Sequence, residues 1–181
     1  MCGDWDTVLV VDDDPACRDL HSIWLDDEYE VLTAADGTAA VEQVGAADVM
    51  LLDREMPRMD GEAVARHVHD SNADCFVVML SGVEPDFDIL ELPVDEYLTK
   101  PLTKSELRET VNELQLRSQL DDELQRYFRL TSKIVAIETS STAGTEAALE
   151  DLRSEVSRLR GQIQERIDEL NGFDPAFRTI E

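Results

Sequence analysis

The sequence predicts an α/β fold: a doubly wound parallel sheet of five strands with helices on both faces, followed by an all-α helical hairpin or coiled coil. Three observations predict it. Short, almost wholly apolar runs recur at 7–11, 49–52 and 75–80, too continuous for strands with one wet face. Turn residues and then a helix-period pattern follow each run, and such strand-then-helix units build parallel sheets. After residue 105 the strand pattern stops and apolar residues fall at helical spacing.

The elements follow in order. Thr7–Val11 is apolar and β-branched and ends in Asp12-Asp13-Asp14-Pro15. Asp14 suits a helix N-cap with Pro15 at the first helical position. That helix, to about residue 27, carries Cys17, Leu20, Ile23 and Trp24 at helical spacing. Residues 29–34 give a second strand, and Asp36-Gly37 turns into a helix with Ala40, Val41 and Val44 on one face. Val49, Met50, Leu51 and Leu52 form the third strand, with Asp53 directly at its end. Pro57 stops regular pairing, and Asp60-Gly61 leads into a helix with Val64, Ala65 and Val68 inward. Residues 75–80 are a fourth strand broken by Ser81-Gly82, 85–92 a weak acidic helix, and Glu96–Thr99 a short fifth strand before Lys100-Pro101.

Residues 104–138 contain neither Gly nor Pro and read as one helix, about 52 Å long at 1.5 Å per residue. Leu107, Val111 and Leu114 make an early stripe. Leu116, Leu120, Tyr127, Leu130, Ile134 and Ile137 continue on a shifted face. Residues 139–145 are a turn. Leu149, Leu152, Val156, Leu159, Ile163 and Leu170 then take heptad positions, interrupted by Arg166. Gly161 should cost that helix about 1 kcal/mol against Ala, and Asn171-Gly172 is expected to end it. Two helices joined by a short turn suggest an antiparallel hairpin, its stripes buried against each other or against a second copy.

Composition excludes several functions. The net charge is -25, and the only lysines are Lys100, Lys104 and Lys133. Residues 1–101 hold 25 acidic and 5 basic side chains, residues 102–181 hold 16 and 11, so the two parts are built differently. Such a surface repels nucleic acid and anionic membrane. Cys2, Cys17 and Cys75 are too scattered for a disulfide framework or a metal motif. His67 and His69 lie two apart on a helix and do not face each other; with His21 they read as surface or packing residues. No signal peptide opens the chain and no apolar run approaches the ~20 residues of a membrane helix, so a cytoplasmic, reducing setting is expected.

The chemistry gathers at strand ends. Asp12 and Asp13, Asp53, Ser81 and Lys100 follow four different strands, and in a parallel sheet those ends share one edge. One capping carboxylate is common, but Asp14 already fills that position. Clustered carboxylates repel unless a cation compensates. Mg²⁺ takes one or two carboxylates and keeps waters. A phosphate beside lysine, metal and hydroxyl would complete the set, with a carboxylate as nucleophile.

VLVVDDDP, VMLLDREMPRMDG, VVMLSG and DEYLTKP, in this order and spacing, resemble the receiver domain of two-component response regulators over about residues 6–118. The resemblance implies a flavodoxin-like (βα)5 sheet with strand order 2-1-3-4-5. It implies Asp53 as phospho-acceptor from a sensor histidine kinase. Asp12, Asp13, Asp53 and the backbone carbonyl of Glu55 match the Mg²⁺ ligands. Ser81 matches the switch hydroxyl, Tyr97 the switch aromatic and Lys100 the phosphate-binding lysine. Lys100-Pro101 matches the family's cis-peptide site. The Glu55 side chain is a departure, standing near the entry for attacking water, and it alters the dephosphorylation rate in one direction or the other.

Residues 108–175, through DDELQRYFRLTSKIVAIE, resemble the HalX domain found behind receivers in haloarchaeal regulators. The expected division is a receiver over 1–104, its last helix running on to about 118, a HalX-like hairpin over 105–175 and a tail over 176–181. These resemblances imply a phosphorylation switch signalling to the hairpin, with a homodimer through 105–170 as one arrangement. A DNA-binding transcription regulator is the alternative, which no helix-turn-helix, zinc finger or basic stripe supports. The cations at Arg126, Arg129 and Lys133, and at Arg153, Arg158 and Arg160, are interleaved with acids and read as solvated coiled-coil flanks. An aspartyl phosphatase fits poorly, because Arg54-Glu55-Met56 follow Asp53 and no substrate-covering insertion is present.

The acidic surface reads as an adaptation to high salt, where the screening length falls to about 3 Å at 1 M. The melting temperature is therefore expected to rise from dilute buffer to molar KCl; maximal stability in dilute buffer would contradict this.

Overall fold

The computed structural model describes residues 6–85, 87–118, 122–139 and 146–177. Five parallel strands, β1 (Thr7–Val11), β2 (Glu30–Ala34), β3 (Val49–Asp53), β4 (Phe76–Ser81) and β5 (Glu96–Thr99), form one sheet in the order β2-β1-β3-β4-β5. Alternate side chains explain the unbroken apolar runs. Val8, Val10, Val49, Leu51, Val78 and Leu80 face one layer, with Leu107, Val111 and Leu114. Leu9, Val11, Met50, Leu52, Val77 and Met79 face the other. Both faces are dry, as a parallel sheet requires.

Helices α1 (Pro15–Leu25) and α4 (Lys104–Arg117) cover the first face; α2 (Gly37–Gln43) and α3 (Gly61–Asp70) cover the second. Asp14, Asp36 and Asp60 cap α1, α2 and α3, each accepting a backbone N–H. In α1 the apolar stripe differs from expectation. Leu20 and Ile23 are 45% and 63% exposed, whereas His21 and Leu25 are buried with Cys17 and Trp24 beside them. Residues 17, 21, 24 and 25 share one helical face, and that face meets the sheet.

Two further expectations are corrected, for one reason. The acidic helix over 85–92 is reduced to a 3-10 turn at Phe87–Glu91, and the single helix over 104–138 is two, α4 and α5 (Asp122–Thr139). Ser118 turns the chain after α4, its hydroxyl donating to the Gln115 carbonyl. The chain then returns so that α5 packs against β5 and the 3-10 turn, where a fourth crossover helix would otherwise lie. Ile134 and Ile137 of α5 join the cluster that holds Met79, Ile89, Leu92, Val94 and Tyr97. A helix continuing straight past the sheet would have left that part of the second face uncovered.

α6 (Glu146–Phe177) packs along α5, with Leu149, Leu152 and Val156 meeting that cluster. Arg126 pairs with Glu155, and Arg153 with Glu138 at 2.5 Å, so the helices are antiparallel as expected. The stripe is buried on α6 and on the chain's own sheet, an arrangement beyond the two envisaged. The helix does not stop at Asn171-Gly172 but runs on to Phe177; a C-terminal signal is only a propensity of about 1 kcal/mol. The turn at 140–145, Cys2, and the side chains of Leu116, Leu120, Arg166 and Leu170 lie outside the described residues.

Polar contacts fasten α5 to the edge of the sheet. Arg129 Nε donates to Asp95 at 2.9 Å, and Ser132 donates to Glu96 at 2.6 Å. Arg117 pairs with Glu96 at 2.7 Å and lies over the Phe128 ring. Lys133 is buried and donates to the Leu92 and Leu90 carbonyls; burial, with Arg129 adding to it, pushes its ammonium down to about 8. Arg129 and Lys133 are thus docking groups, not the solvated flanks expected of them.

Two glycines test this packing in opposite senses. A Cβ on Gly61 would meet the Arg54 Cα at 2.9 Å, whereas Gly161 has nothing within 4 Å. Gly61→Ala is expected to destabilise the protein by about 1–3 kcal/mol through overpacking, and Gly161→Ala to stabilise it by about 1 kcal/mol through helix propensity. Chemical denaturation reads both.

Candidate functional site

All five strands run one way, so their carboxyl ends share a rim. Asp12 follows β1 and is buried, and Asp13 beside it is exposed. Asp53 closes β3 and is 6% exposed. Carboxylate oxygens of Asp12, Asp13 and Asp53 all lie within 4.8 Å of one another. Lys100, just after β5, donates to Asp12 Oδ2 at 2.9 Å and to Asp53 Oδ1 at 2.7 Å. Its backbone N–H also donates to the Ser81 carbonyl at 2.7 Å, which ties the ends of β4 and β5 together. Lys100-Pro101 is cis.

Asp12 is held from two sides. Its Oδ1 accepts the Asp14 N–H at 2.9 Å, and its carbonyl accepts Arg18 Nη1 at 2.7 Å. Burial raises the pKa of Asp53, and Lys100 offsets this only in part, with the neighbouring Asp12 and Asp13 carboxylates adding to the rise. Burial works against charge on Lys100 too, but its bonds to Asp12 and Asp53 outweigh it and raise its pKa. Three carboxylates facing one ammonium leave negative charge in excess, and an all-oxygen donor set of this kind suits a hard divalent cation.

Ser81 is wholly buried, one place beyond the residue paired with Asp53. Its hydroxyl accepts the Val83 N–H at 3.1 Å. Tyr97 is buried, and its phenol donates to the Val83 carbonyl at 3.1 Å. Glu55 is exposed. Sequence reasoning missed Arg54 and Glu62. Arg54 Nη1 donates to the Tyr97 hydroxyl at 3.2 Å, and its Nε and Nη2 both donate to Glu62 at 3.1 and 2.8 Å. An arginine next to a strand-end aspartate was a visible signal; a partner eight residues on, across a loop, follows no sequence period.

A model of the response regulator receiver domain matches residues 8–112, and a model of the HalX domain matches residues 116–179. The chain belongs to the response regulator receiver family. A Haloferax volcanii protein provisionally named a transcriptional regulator is 38% identical over 185 residues, covering 96% of this chain, which spans only 32% of that relative. Bacillus subtilis PhoP, an alkaline phosphatase synthesis transcriptional regulatory protein, is 31% identical over 62% of the chain and 50% of its own length. Among solved structures, the Thermotoga maritima response regulator TrrA, in complex with Mg²⁺ and a beryllium fluoride, is 31% identical, with a TM-score of 0.55 over 60% of this chain and 98% of that one. Among the described residues, no helix of this receiver and HalX chain is long and apolar enough to cross a membrane.

A carboxylate whose folded pKa is raised binds its proton more tightly in the native state than in the unfolded one. Stability is then lost as pH rises through that folded value. In metal-free buffer at pH 7, Asp53→Asn is therefore expected to melt higher than the wild type, with the gap closing as pH falls below the ordinary carboxylate value of 3.8. Mg²⁺ should stabilise the wild type preferentially, by about 2.7 kcal/mol at a hundredfold excess over its Kd.

Proposed function

We propose that the chain is the cytoplasmic response regulator of a two-component phosphorelay, accepting a phosphoryl group on Asp53 from a sensor histidine kinase. The supporting observation is the Lys100 ammonium lying 2.7 Å from Asp53, with Asp12 and Asp13 on the same rim. An Asp53 oxygen attacks phosphorus. The P–O bond forms as the P–N bond to the kinase imidazole breaks, and the leaving nitrogen keeps the electron pair and takes up a proton. Asp12, Asp13 and Asp53, with the Glu55 backbone carbonyl, would hold Mg²⁺, which supplies positive charge to the phosphoryl oxygens. Lys100 neutralises another of those oxygens, and the Ser81 hydroxyl is free to donate to a third while it accepts from Val83.

The output follows from where Tyr97 lies. Turning Ser81 toward the phosphoryl group moves the Val83 segment, whose carbonyl holds the Tyr97 phenol. Tyr97 shares an apolar cluster with Ile134 and Ile137 of α5. The receiver, its last helix running on to about 118, thereby acts on the helical hairpin behind it, by altering its docking or its pairing in a homodimer through 105–170. A swing from 1:99 to 99:1 needs about 5.5 kcal/mol of differential interaction.

A second reading, transcriptional control through DNA, is favoured by the HalX match and the name of the Haloferax relative. Arg126 and Arg129 are each tied to a carboxylate and Lys133 is buried, which leaves little cationic surface on α5. Sequence-specific retardation of genomic fragments at molar KCl would promote it.

Acetyl phosphate or beryllofluoride with Mg²⁺ is expected to change the Tyr or Trp fluorescence of the wild type and to leave Asp53→Asn unchanged. An identical response in both proteins would refute Asp53 as acceptor.

A further inference from the structure

Asp13 is the exposed member of the carboxylate cluster, and among the described residues no hydrogen bond or ion pair holds its side chain. Its place on the rim is set by its backbone. Both peptide groups that flank it are pinned. The carbonyl of the Asp12–Asp13 peptide accepts Arg18 Nη1 at 2.7 Å. The N–H of the Asp13–Asp14 peptide donates to Asp12 Oδ1 at 2.9 Å. Asp12 is itself fixed: its N–H donates to the Ala34 carbonyl at 3.3 Å, and its Oδ2 accepts Lys100 Nζ at 2.9 Å.

Arg18 is the fourth residue of α1, and its N–H closes the first helical turn on the Asp14 carbonyl at 3.0 Å. A cation so near a helix N-terminus opposes the helix dipole. Four aspartates, Asp12, Asp13, Asp14 and Asp19, stand beside it in sequence, yet the half-buried guanidinium makes no ion pair among the described residues. It bonds the neutral Asp12 carbonyl instead. A charge-assisted bond to a carbonyl is directional, so it fixes the tilt of the peptide plane and not merely the local potential. We infer that Arg18 is a positioning residue of the metal site: it locks the Asp12–Asp13 peptide and so holds the Asp13 carboxylate where a divalent cation meets it already in place. This rests on the reading of Asp12, Asp13 and Asp53 as carboxylates that hold Mg²⁺. Arg18 does not touch the ion. It lowers the entropy lost when an exposed carboxylate is ordered around it.

The test uses the full chain in molar KCl, with Mg²⁺ titrations followed by amide NMR. Arg18→Met should bind Mg²⁺ about tenfold more weakly, as when a ligand loses the partner behind it. The sign is decisive. Charge alone predicts the reverse, because the variant leaves the rim more negative by one unit. Arg18→Gln, whose shorter side chain stops short of the Asp12 carbonyl, should act likewise and serves if Arg18→Met does not fold. In an Asp13→Asn background, Arg18→Met should change the affinity by less than about twofold, since the two act as one unit. Without metal, the Asp14 amide should exchange with solvent about tenfold faster in Arg18→Met than in the wild type. Unchanged or tighter Mg²⁺ binding, an unchanged Asp14 exchange rate, or an undiminished loss in the Asp13→Asn background would each overturn the role of Arg18 and leave the metal site standing. If the wild type takes up no Mg²⁺, the site itself falls, and the inference with it.

Discussion

One ammonium shared between two buried carboxylates sets the state of the whole rim. Lys100 reaches Asp12 and Asp53 at once, so neither acid is fully neutralised and Asp13 beside them adds further charge. The strands that end there are dry on both faces, so the carboxylates cannot escape into water without breaking the sheet. The Lys100 ammonium compensates that charge only in part. Burial of Asp53 and protonation of Lys100 are therefore two results of one geometry.

The second constraint is coverage. Among the described residues, β4 connects to β5 through only a 3-10 turn, with no crossover helix over that part of the sheet's second face. Helix α5 supplies the cover, with Ile134 and Ile137 set beside Leu92, Val94 and Tyr97. The polar fasteners around them, Arg129 on Asp95, Ser132 on Glu96 and Lys133 on two carbonyls, are costly to bury unless each is satisfied. Helix α5 is thus part of the receiver's fold, and Tyr97 lies in the seam.

Much of this was legible in the residues. Two-sided burial wrote itself as continuous apolar runs, and the Asp12, Asp53, Ser81 and Lys100 positions followed from where those runs stop. β1 and β5 carry the bounds expected of them, and Asp14, Asp36 and Asp60 cap as their types suggest. The break between α4 and α5 was not legible, because no Gly or Pro marks it; it is imposed by an uncovered sheet face far away in sequence. The exposed Leu20 and Ile23 show the same limit. Several stripes can be drawn on an eleven-residue helix, and only its seat on the sheet chooses among them. Arg54 and Glu62 were hidden because their link to Tyr97 spans three elements.

The loan of α5 to the sheet has a consequence for how such proteins diversify. A receiver that owns all its crossover helices is a portable module and can be fused to unrelated outputs. Here the receiver half ends with an apolar face that its own segment does not shelter. Recombination at the junction after α4 would yield a fragment that exposes Ile89, Leu92 and Val94, unless the new neighbour brings a helix of matching shape. The receiver half of this chain therefore depends on α5 for its cover.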